Sequence, residues 1–187
     1  MTTLIVPVRD FGGMTRLSDT LSEADRRQLT RDLAVRVVLS GLEADLRVVV
    51  VTANREVAAF MQEIDVGIHD DPERGLSAAA AAAAADIRNG PWVVAHADLP
   101  LVAPNALRQV AQIVATDTVL VPSLDGGTNV IGSRGAFPFS YGKGSFHRHL
   151  ASFPSAVVLT DPRLAVDIDL PVHLQAVDAP TSATIER

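Results

Sequence analysis

The stretch Arg47–Thr52 reads RVVVVT and constrains the fold more than any other part of the chain. Its β-branched residues favour a strand, and the lack of polar–apolar alternation indicates that both faces of this strand are covered. Leu4–Val8 and Trp92–Ala97 are two further short apolar runs of similar character. Strands of this kind occur where helices cover both sides of a parallel sheet, so the sequence predicts an α/β protein.

Helical patterns separate these runs. Ser22 precedes a segment with acidic residues in its first turn and apolar residues at four-residue spacing, which predicts a helix that Ser22 caps and Gly41 ends. Similar signals predict strands over Val66–His69 and Thr118–Pro122, and helices over Arg55–Glu63, from a Ser77 cap through Ala85, and over Pro104–Val114. This alternation implies parallel strands joined by right-handed crossovers.

The pattern changes beyond residue 122. We predict a turn over Asp125–Asn129, strands over Val130–Gly132 and Ala156–Thr160, a helix over Ser145–Ser152, and an extended run Leu164–Val166 that ends at Asp167. The polar stretch 178–187 is expected to be a flexible tail. The length of 187 residues fits one domain, residues 1–187, with a mostly parallel central sheet flanked by helices.

Composition excludes several classes of protein. With 16 Lys+Arg and 22 Asp+Glu the formal net charge is −6, which argues against a nucleic-acid partner. The absence of cysteine excludes disulfides and thiolate sites. The longest apolar stretch, Leu76–Ala85, is shorter than the ~20 residues of a membrane span, and Met1-Thr2-Thr3 lacks a basic leader. We therefore expect a cytoplasmic enzyme or small-molecule binder with no membrane partner; the oligomeric state, a homodimer included, stays open.

Three aspartates follow predicted strands: Asp98 after one, and Asp167 and Asp169 after another. Ligands of open parallel sheets bind beyond the carboxyl ends of the strands. Mg²⁺ prefers oxygen ligands, and an Asp-x-Asp on extended backbone points both carboxylates to one face. The three residues are therefore candidate catalytic metal ligands. The alternative is that each caps a turn or helix, Asp98 before Pro100 and the other two before Pro171.

Glycine-rich segments supply a second set of candidates. Gly12-Gly13 follows the first strand, where backbone amides can cradle an anion, and Arg9 and Arg16 flank it. Gly126–Asn129 and Gly142–Ser145 offer free amides and hydroxyls, and the second segment opens a predicted helix, where a phosphate can bind. The alternative is that all three are ordinary turns and hairpin loops.

Other motifs do not fit their templates. Lys143 is followed by Gly144 where a P-loop needs Ser or Thr, and no dinucleotide fingerprint or nucleophile elbow is present. His147 and His149 are two residues apart, so a helix separates them; a shared zinc ion is not expected, and we predict surface or capping roles. The run Ala78–Ala85 predicts a helix packed closely on the sheet, or one that lets the Leu76–Ser77 backbone approach a nucleotide base.

Taken together, these segments resemble one family from Ile5 to Pro171. The segments that carry the resemblance are Thr15-Arg16-Leu17-Ser18, Asp71-Pro72 with Gly75–Ala79, Ala97–Leu101, Gly126–Asn129, Gly135–Phe139, Tyr141–Phe146 with His149, and Leu164–Asp169. The chain is similar to the guanylyltransferases of deazaflavin coenzyme F-420 biosynthesis, within the nucleotidyltransferases that include molybdenum-cofactor guanylyltransferases. The Gly-Gly-Thr-Asn and Gly-x-Gly-Ser-Phe segments are the most specific part of the resemblance.

This resemblance implies a single-domain, Rossmann-like nucleotidyltransferase fold and transfer of GMP from GTP to phosphoenolpyruvate or 2-phospho-L-lactate, with release of pyrophosphate. It implies that Asp98, Asp167 and Asp169 hold Mg²⁺, as two ions in our interpretation. Nucleotide contacts are expected from Arg9, Gly12, Gly13, Arg16, Gly75 and Ser77, and acceptor contacts from Thr128, Gly142 and Ser145.

The chain departs from the family pattern at two positions. Met14 stands where the family carries a lysine, with Arg9 the candidate replacement for that charge, and Ser77 stands where an asparagine is expected. The acceptor and the preference for guanine stay open. The alternatives are another acceptor, such as 3-phosphoglycerate, a molybdopterin or a sugar phosphate, and a non-catalytic module that only binds GTP.

Overall fold

The structure, a computed structural model, describes residues 1–87 and 90–176, with the side chains of 175 and 176 left out. The predicted tail 178–187 lies outside the described residues. The described part forms one sheet in the order β3-β2-β1-β4-β6-β5-β7. Its strands are β1 Thr3–Pro7, β2 Arg47–Val51, β3 Gly67–His69, β4 Trp92–Ala95, β5 Val119–Pro122, β6 Thr128–Ser133 and β7 Val157–Val158.

The sheet is parallel except at β6, which runs antiparallel to both of its neighbours, β4 and β5. The prediction of a mostly parallel sheet is confirmed. The expected strand Val130–Gly132 is the middle of β6, which begins two residues earlier because Thr128 already pairs with Pro122. This early start places Thr128 and Asn129 in the sheet rather than in a turn.

Helices cover both faces of the sheet. They are α1 Glu23–Glu43, α2 Arg55–Gln62, α3 Leu76–Ala85, α4 Pro104–Val114, α5 Ser145–Ser152 and α6 Pro162–Ala165, with 3-10 turns at Thr15–Leu17 and Pro171–Ala176. One core cluster joins α1, α2, α4 and α6 to one face, and a second joins α3 and α5 to the other. The predicted bounds of α4 and α5 are confirmed, and Ala79, Ala80 and Ala83 pack against the sheet as expected.

Gly41 does not end α1, contrary to the prediction. The helix continues to Glu43, and Gly41 is buried against the sheet. A Cβ at this position would lie 2.4 Å from Leu4 Cδ2 and 3.0 Å from Val48 Cγ2. Gly41 is therefore required for the close approach of α1 to β1 and β2, which a sequence pattern cannot distinguish from a helix stop. The predicted cap at the other end is confirmed, since Ser22 Oγ accepts from Asp25 N–H.

Two other predictions are wrong. Gly75, at φ 86°, precedes α3, and Ser77 lies inside the helix instead of capping it. The run around Leu164 is helical rather than extended: Asp161 caps α6, and Pro162 takes its first position, where a missing N–H costs nothing. Asp167 therefore follows a short helix and not a strand.

Candidate active site

A cavity of about 850 Å³ opens beyond the carboxyl ends of β1 and β2. The loop after β1, the first residues after β2 and the start of α3 form its walls. They contribute Pro7, Arg9, Asp10, Gly13, Ala53, Asn54, Asp71, Glu73, Gly75, Leu76 and Ala79. The volume falls in the range of small-molecule sites, about 300–1,000 Å³, and the position is where open α/β sheets bind ligands.

The structure brings half of the predicted nucleotide residues to this cavity. Arg9, Gly13 and Gly75 line it, whereas Gly12, Arg16 and Ser77 are not among its lining residues. Gly12 faces Asp10, Arg16 pairs with Asp169, and the Ser77 hydroxyl accepts from a backbone amide at 2.9 Å. The cavity also receives two polar side chains that sequence reasoning missed, those of Asn54 and Glu73.

The loop after β1 contains an unexpected left-handed residue. Met14 adopts φ 58° and ψ 39°, a conformation that non-glycine residues seldom occupy, while Gly12 and Gly13 do not have positive φ. Met14 packs against a small cluster that includes Leu17, Leu33 and Ile168. Met14 therefore anchors the loop to the core.

Asp98 lies three residues beyond the end of β4 and is partly buried. Its Oδ1 has no hydrogen-bond partner among the described residues. Burial raises the pKa of the Asp98 carboxyl, and the neighbouring Asp167 and Asp169 carboxylates add to the increase while His96 opposes it. Removing a carboxylate from water is costly unless it is paired, so this orphaned oxygen marks a position where a cation would stabilise the charged form.

A backbone hydrogen bond brings the other two aspartates to Asp98: the Ile168 amide donates to the Asp98 carbonyl at 3.1 Å. Asp167 Oδ1 accepts from Asn129 Nδ2 at 3.2 Å, and Asp169 pairs with Arg16. In residues 1–87 and 90–176, no three acidic or histidine side chains are arranged to enclose a metal ion. The assignment of all three aspartates as ligands stays a prediction.

The donor set nevertheless fits Mg²⁺. This ion requires hard oxygen ligands and usually takes only one or two carboxylates, filling its other positions with water and phosphate oxygens. Asp98 offers a buried oxygen without a hydrogen-bond partner. Asp167 and Asp169 lie near it on residues 167–169, which we call the crossing segment. A preformed cage of three side chains is not needed for such a site.

The predicted acceptor residues form a second cluster. Thr128, at the start of β6, and Ser145, the first residue of α5, are each 1% exposed, and Ser145 Oγ donates to Thr128 Oγ1 at 3.3 Å. Gly142, at φ 121°, turns the chain into the helix, and its carbonyl accepts from Ser145 N at 2.9 Å. The structure therefore brings together all three residues that the family resemblance implied as acceptor contacts.

His149 belongs to the same cluster, and the prediction of a surface or capping role is wrong for it. Its side chain is fully buried, with Nδ1 3.0 Å from Thr128 Oγ1, and Nε2 accepts from the Ser140 amide at 2.8 Å. Burial is the main reason that its pKa falls to about 4, and the charge of Arg148 adds to the effect. His147 is exposed, so the two histidines do lie on different sides of α5.

The loop 134–144 connects the acceptor cluster with α3, whose first residues line the cavity. Phe137 and Phe139 of this loop pack on Trp92, and the Tyr141 amide donates to Ser77 Oγ on α3 at 2.9 Å. Within the described part of the chain, Tyr141 Oη and His96 Nε2 are buried without a hydrogen-bond partner, and their rings are 5.3 Å apart. The sequence signal for this arrangement was the richness of the loop in Gly, Pro and aromatic residues.

The fold is one that solved nucleotidyltransferases share. A nucleotidyl transferase from Methanothermobacter has the same fold, with a TM-score of 0.66, 15% identity and 95% of each chain covered. Residues 2–161 match the family model described as guanylyl transferase CofC like, and the chain belongs to this family. The predicted resemblance and fold class are thereby confirmed.

Two relatives are similar over most of their length. A phosphoenolpyruvate guanylyltransferase of Rubrobacter xylanophilus is 32% identical, with 94% of this chain and 92% of the relative covered. A 2-phospho-L-lactate guanylyltransferase of Halobacterium salinarum is 34% identical, with 88% of this chain and 78% of the relative covered.

None of the helices in the described residues has the length and apolar character to span a membrane.

Proposed function

We propose that this chain transfers the GMP moiety of GTP to the phosphate of a three-carbon phospho-acid and releases pyrophosphate, as a step in the biosynthesis of coenzyme F-420. Phosphoenolpyruvate is the favoured acceptor, since the phosphoenolpyruvate relative matches the larger share of both chains, and 2-phospho-L-lactate is the second. We also propose that the reaction takes place in the cytoplasm.

One observation carries the proposal. The neighbouring residues Thr128 and Asn129 open β6 and connect the two clusters: the Thr128 hydroxyl contacts Ser145 and His149, while the Asn129 amide holds Asp167. A site for an anionic acceptor therefore adjoins the carboxylates. Transfer between two polyanions requires this adjacency, because the reacting atoms must be held close together and in line.

The nucleotide would occupy the cavity beyond β1 and β2. Its volume suits a nucleoside triphosphate, and Arg9 offers a positive charge at its wall. The side chain of Arg9 is 85% exposed and contacts Asp10, so it can turn to a phosphate with little loss of packing. Position 14 carries Met14 instead of the lysine that the resemblance implies there. We therefore assign Arg9 as the cationic contact of this loop.

Asp98 would hold Mg²⁺ together with Asp167 and Asp169, the latter after release from Arg16. The ion would neutralise phosphate charge and orient the oxygens around the α-phosphorus. The hydrogen bond from the Ile168 amide to the Asp98 carbonyl keeps the three aspartates near one another, and Arg16 compensates the charge of Asp169 while no ion is bound.

The acceptor would bind at the hydroxyls of Thr128 and Ser145 and the backbone around Gly142. An acceptor phosphate is already an anion at pH 7, so the reaction needs no strong base. An acceptor phosphate oxygen forms a bond to the α-phosphorus, and the bond from that phosphorus to the β-phosphate oxygen breaks to release pyrophosphate. The contribution of the protein is positioning and charge neutralisation, the main sources of rate in phosphoryl transfer.

The test is an assay of purified protein with GTP and Mg²⁺ against separate acceptors: phosphoenolpyruvate, 2-phospho-L-lactate, 3-phosphoglycerate, a molybdopterin and a sugar phosphate. Pyrophosphate release and a mass spectrum of the guanylylated product are the measurements. We expect product with phosphoenolpyruvate and none without an acceptor. Product only with another acceptor identifies a different nucleotidyltransferase, and GTP binding without any product identifies a binding module.

Replacing GTP with ATP, CTP or UTP in the same assay tests the preference for guanine. We expect the rate with GTP to exceed the other rates at equal concentration. Equal rates with all four nucleotides would contradict guanylyl transfer.

A further inference from the structure

The buried imidazole of His149 contacts three elements of the proposed acceptor cluster. It lies on α5, faces Thr128 on β6 through Nδ1, and faces the backbone of Ser140 in the loop 134–144 through Nε2. The reaction as proposed gives it no role, since it is not expected to touch either substrate. Buried polar groups are normally hydrogen-bonded, so the hydrogen bonds of this ring indicate what it does.

Those bonds determine where the imidazole proton resides. A backbone amide can only donate, so the Ser140 N–H at 2.8 Å requires an unprotonated Nε2. The single proton of the neutral ring is then on Nδ1, from which it is donated to Thr128 Oγ1 at 3.0 Å. Burial, which lowers the pKa of His149 to about 4, keeps the ring neutral at pH 7.

The location of this proton restricts the hydrogen bonds that the Thr128 hydroxyl can make. Its oxygen accepts from His149 and, at 3.3 Å, from Ser145 Oγ, which uses both of its lone pairs. Its own proton must therefore be donated to a third group, and the described part of the chain provides no acceptor for it. The carboxylate and phosphate oxygens of a phospho-acid accept hydrogen bonds and donate none, so an obligate donor suits this ligand.

We infer that His149 is a positioning residue, which sets the Thr128 hydroxyl as a hydrogen-bond donor to the acceptor anion, while the Ser140 amide fixes the tautomer of its ring. This inference rests on the proposed function and assigns an additional residue to it. It differs from a packing role in one respect: the effect of His149 on the acceptor must pass through Thr128.

The first test is a double-mutant cycle with His149→Asn and Thr128→Val. We expect His149→Asn to raise KM for phosphoenolpyruvate about tenfold or more, with KM for GTP changed less than about twofold. The KM of the double variant for phosphoenolpyruvate should be no higher than that of Thr128→Val alone, because the two residues act as a unit. His147→Asn is the matched control and should leave both constants unchanged.

Independent, additive losses in the cycle, or an unchanged KM for phosphoenolpyruvate in His149→Asn, would overturn the inference. Failure of the proposed function is a distinct result, because the wild-type protein would then form no product at all.

The second test needs no variant. Nitrogen-15 NMR of the wild-type imidazole, assigned by through-bond correlation, should report a proton on Nδ1 and no titration between pH 5 and 8. A proton on Nε2 would overturn the inference even if the variants fail to fold, because Thr128 would then have to donate to the ring and could not donate to the acceptor.

Discussion

The amide of Ile168 donates to the carbonyl of Asp98 at 3.1 Å, and this bond joins two segments that are far apart in the sequence. Ile168 is buried in the core, so its side chain holds the crossing segment while the aspartates on either side of it remain near Asp98. The apolar residue between the two acidic ones therefore positions the carboxylates. The first two predictions concern these aspartates.

Asp98→Asn should lower kcat by at least about 100-fold, as expected when a group that stabilises transition-state charge is removed. The variant should remain folded, because the amide has the same shape and the unpaired Oδ1 contributes no hydrogen bond to stability. Pyrophosphate release and the melting temperature are the two measurements. Asp65→Asn, at an exposed left-handed position before β3, is the control and should change neither. Near-normal turnover of Asp98→Asn would remove Asp98 from the site.

Asp169→Asn should also abolish turnover but hardly affect stability. Its ion pair with Arg16 is solvent-exposed, with side-chain exposures of 36% and 67%, and such pairs contribute about 0–1 kcal/mol. The melting temperature should therefore fall by no more than about 4 °C. A larger fall with retained activity would mean that Asp169 is structural and that its position near Asp98 has no part in the reaction.

The low pKa of His149 predicts that the free energy of unfolding falls in acid. Its pKa is about 4 in the folded state against an ordinary value of 6.5, so between these values the unfolded chain binds more protons than the folded one. Stability therefore rises with pH across this window, by at most about 3 kcal/mol for the single site. Arg148 and His96 are the charged or titratable neighbours that contribute to the low pKa, after burial.

Denaturant unfolding at a series of pH values measures this dependence. Between pH 5 and 6.5 the slope should be more positive for the wild-type protein than for His149→Asn, while the raised pKa of the Asp98 carboxyl contributes with the opposite sign in both proteins. Below pH 5 the carboxyl of Asp161, whose pKa is lowered by Arg163, and that of Asp125 add a loss of the same sign. An equal slope in the variant between pH 5 and 6.5 would show that His149 is protonated normally.

Gly41→Ala should destabilise the protein although alanine is the better helix former. The new Cβ would lie 2.4 Å from Leu4 Cδ2, and overpacking of this kind costs about 1–3 kcal/mol. Gly135→Ala is the matched control, since a Cβ there meets nothing within 4 Å and φ is not positive. The free energies of unfolding in denaturant should differ between the variants, and a stabilised Gly41→Ala would contradict the packing argument.

Local pattern was sufficient for most of the fold. The β-branched run Arg47–Val51, the Ser22 cap and the bounds of α4 and α5 follow from short-range propensity and hydrogen bonding, which act within a few residues and are therefore visible in sequence. The motif around Thr128 and Ser145 also predicted a cluster that the structure assembles. Family resemblance supplied the proposed role of that cluster, since spacing alone did not distinguish it from hairpin loops.

Other features depend on contacts between distant segments. Gly41 functions as a packing position only because Leu4 lies against it, and His149 is buried only because β6 and the loop 134–144 close over it. The sequence by itself determined which residue types and local elements were available for a nucleotidyl transfer site. The tertiary structure alone decided which side chains meet and which lose water, because burial and hydrogen-bond partners are properties of the packed chain.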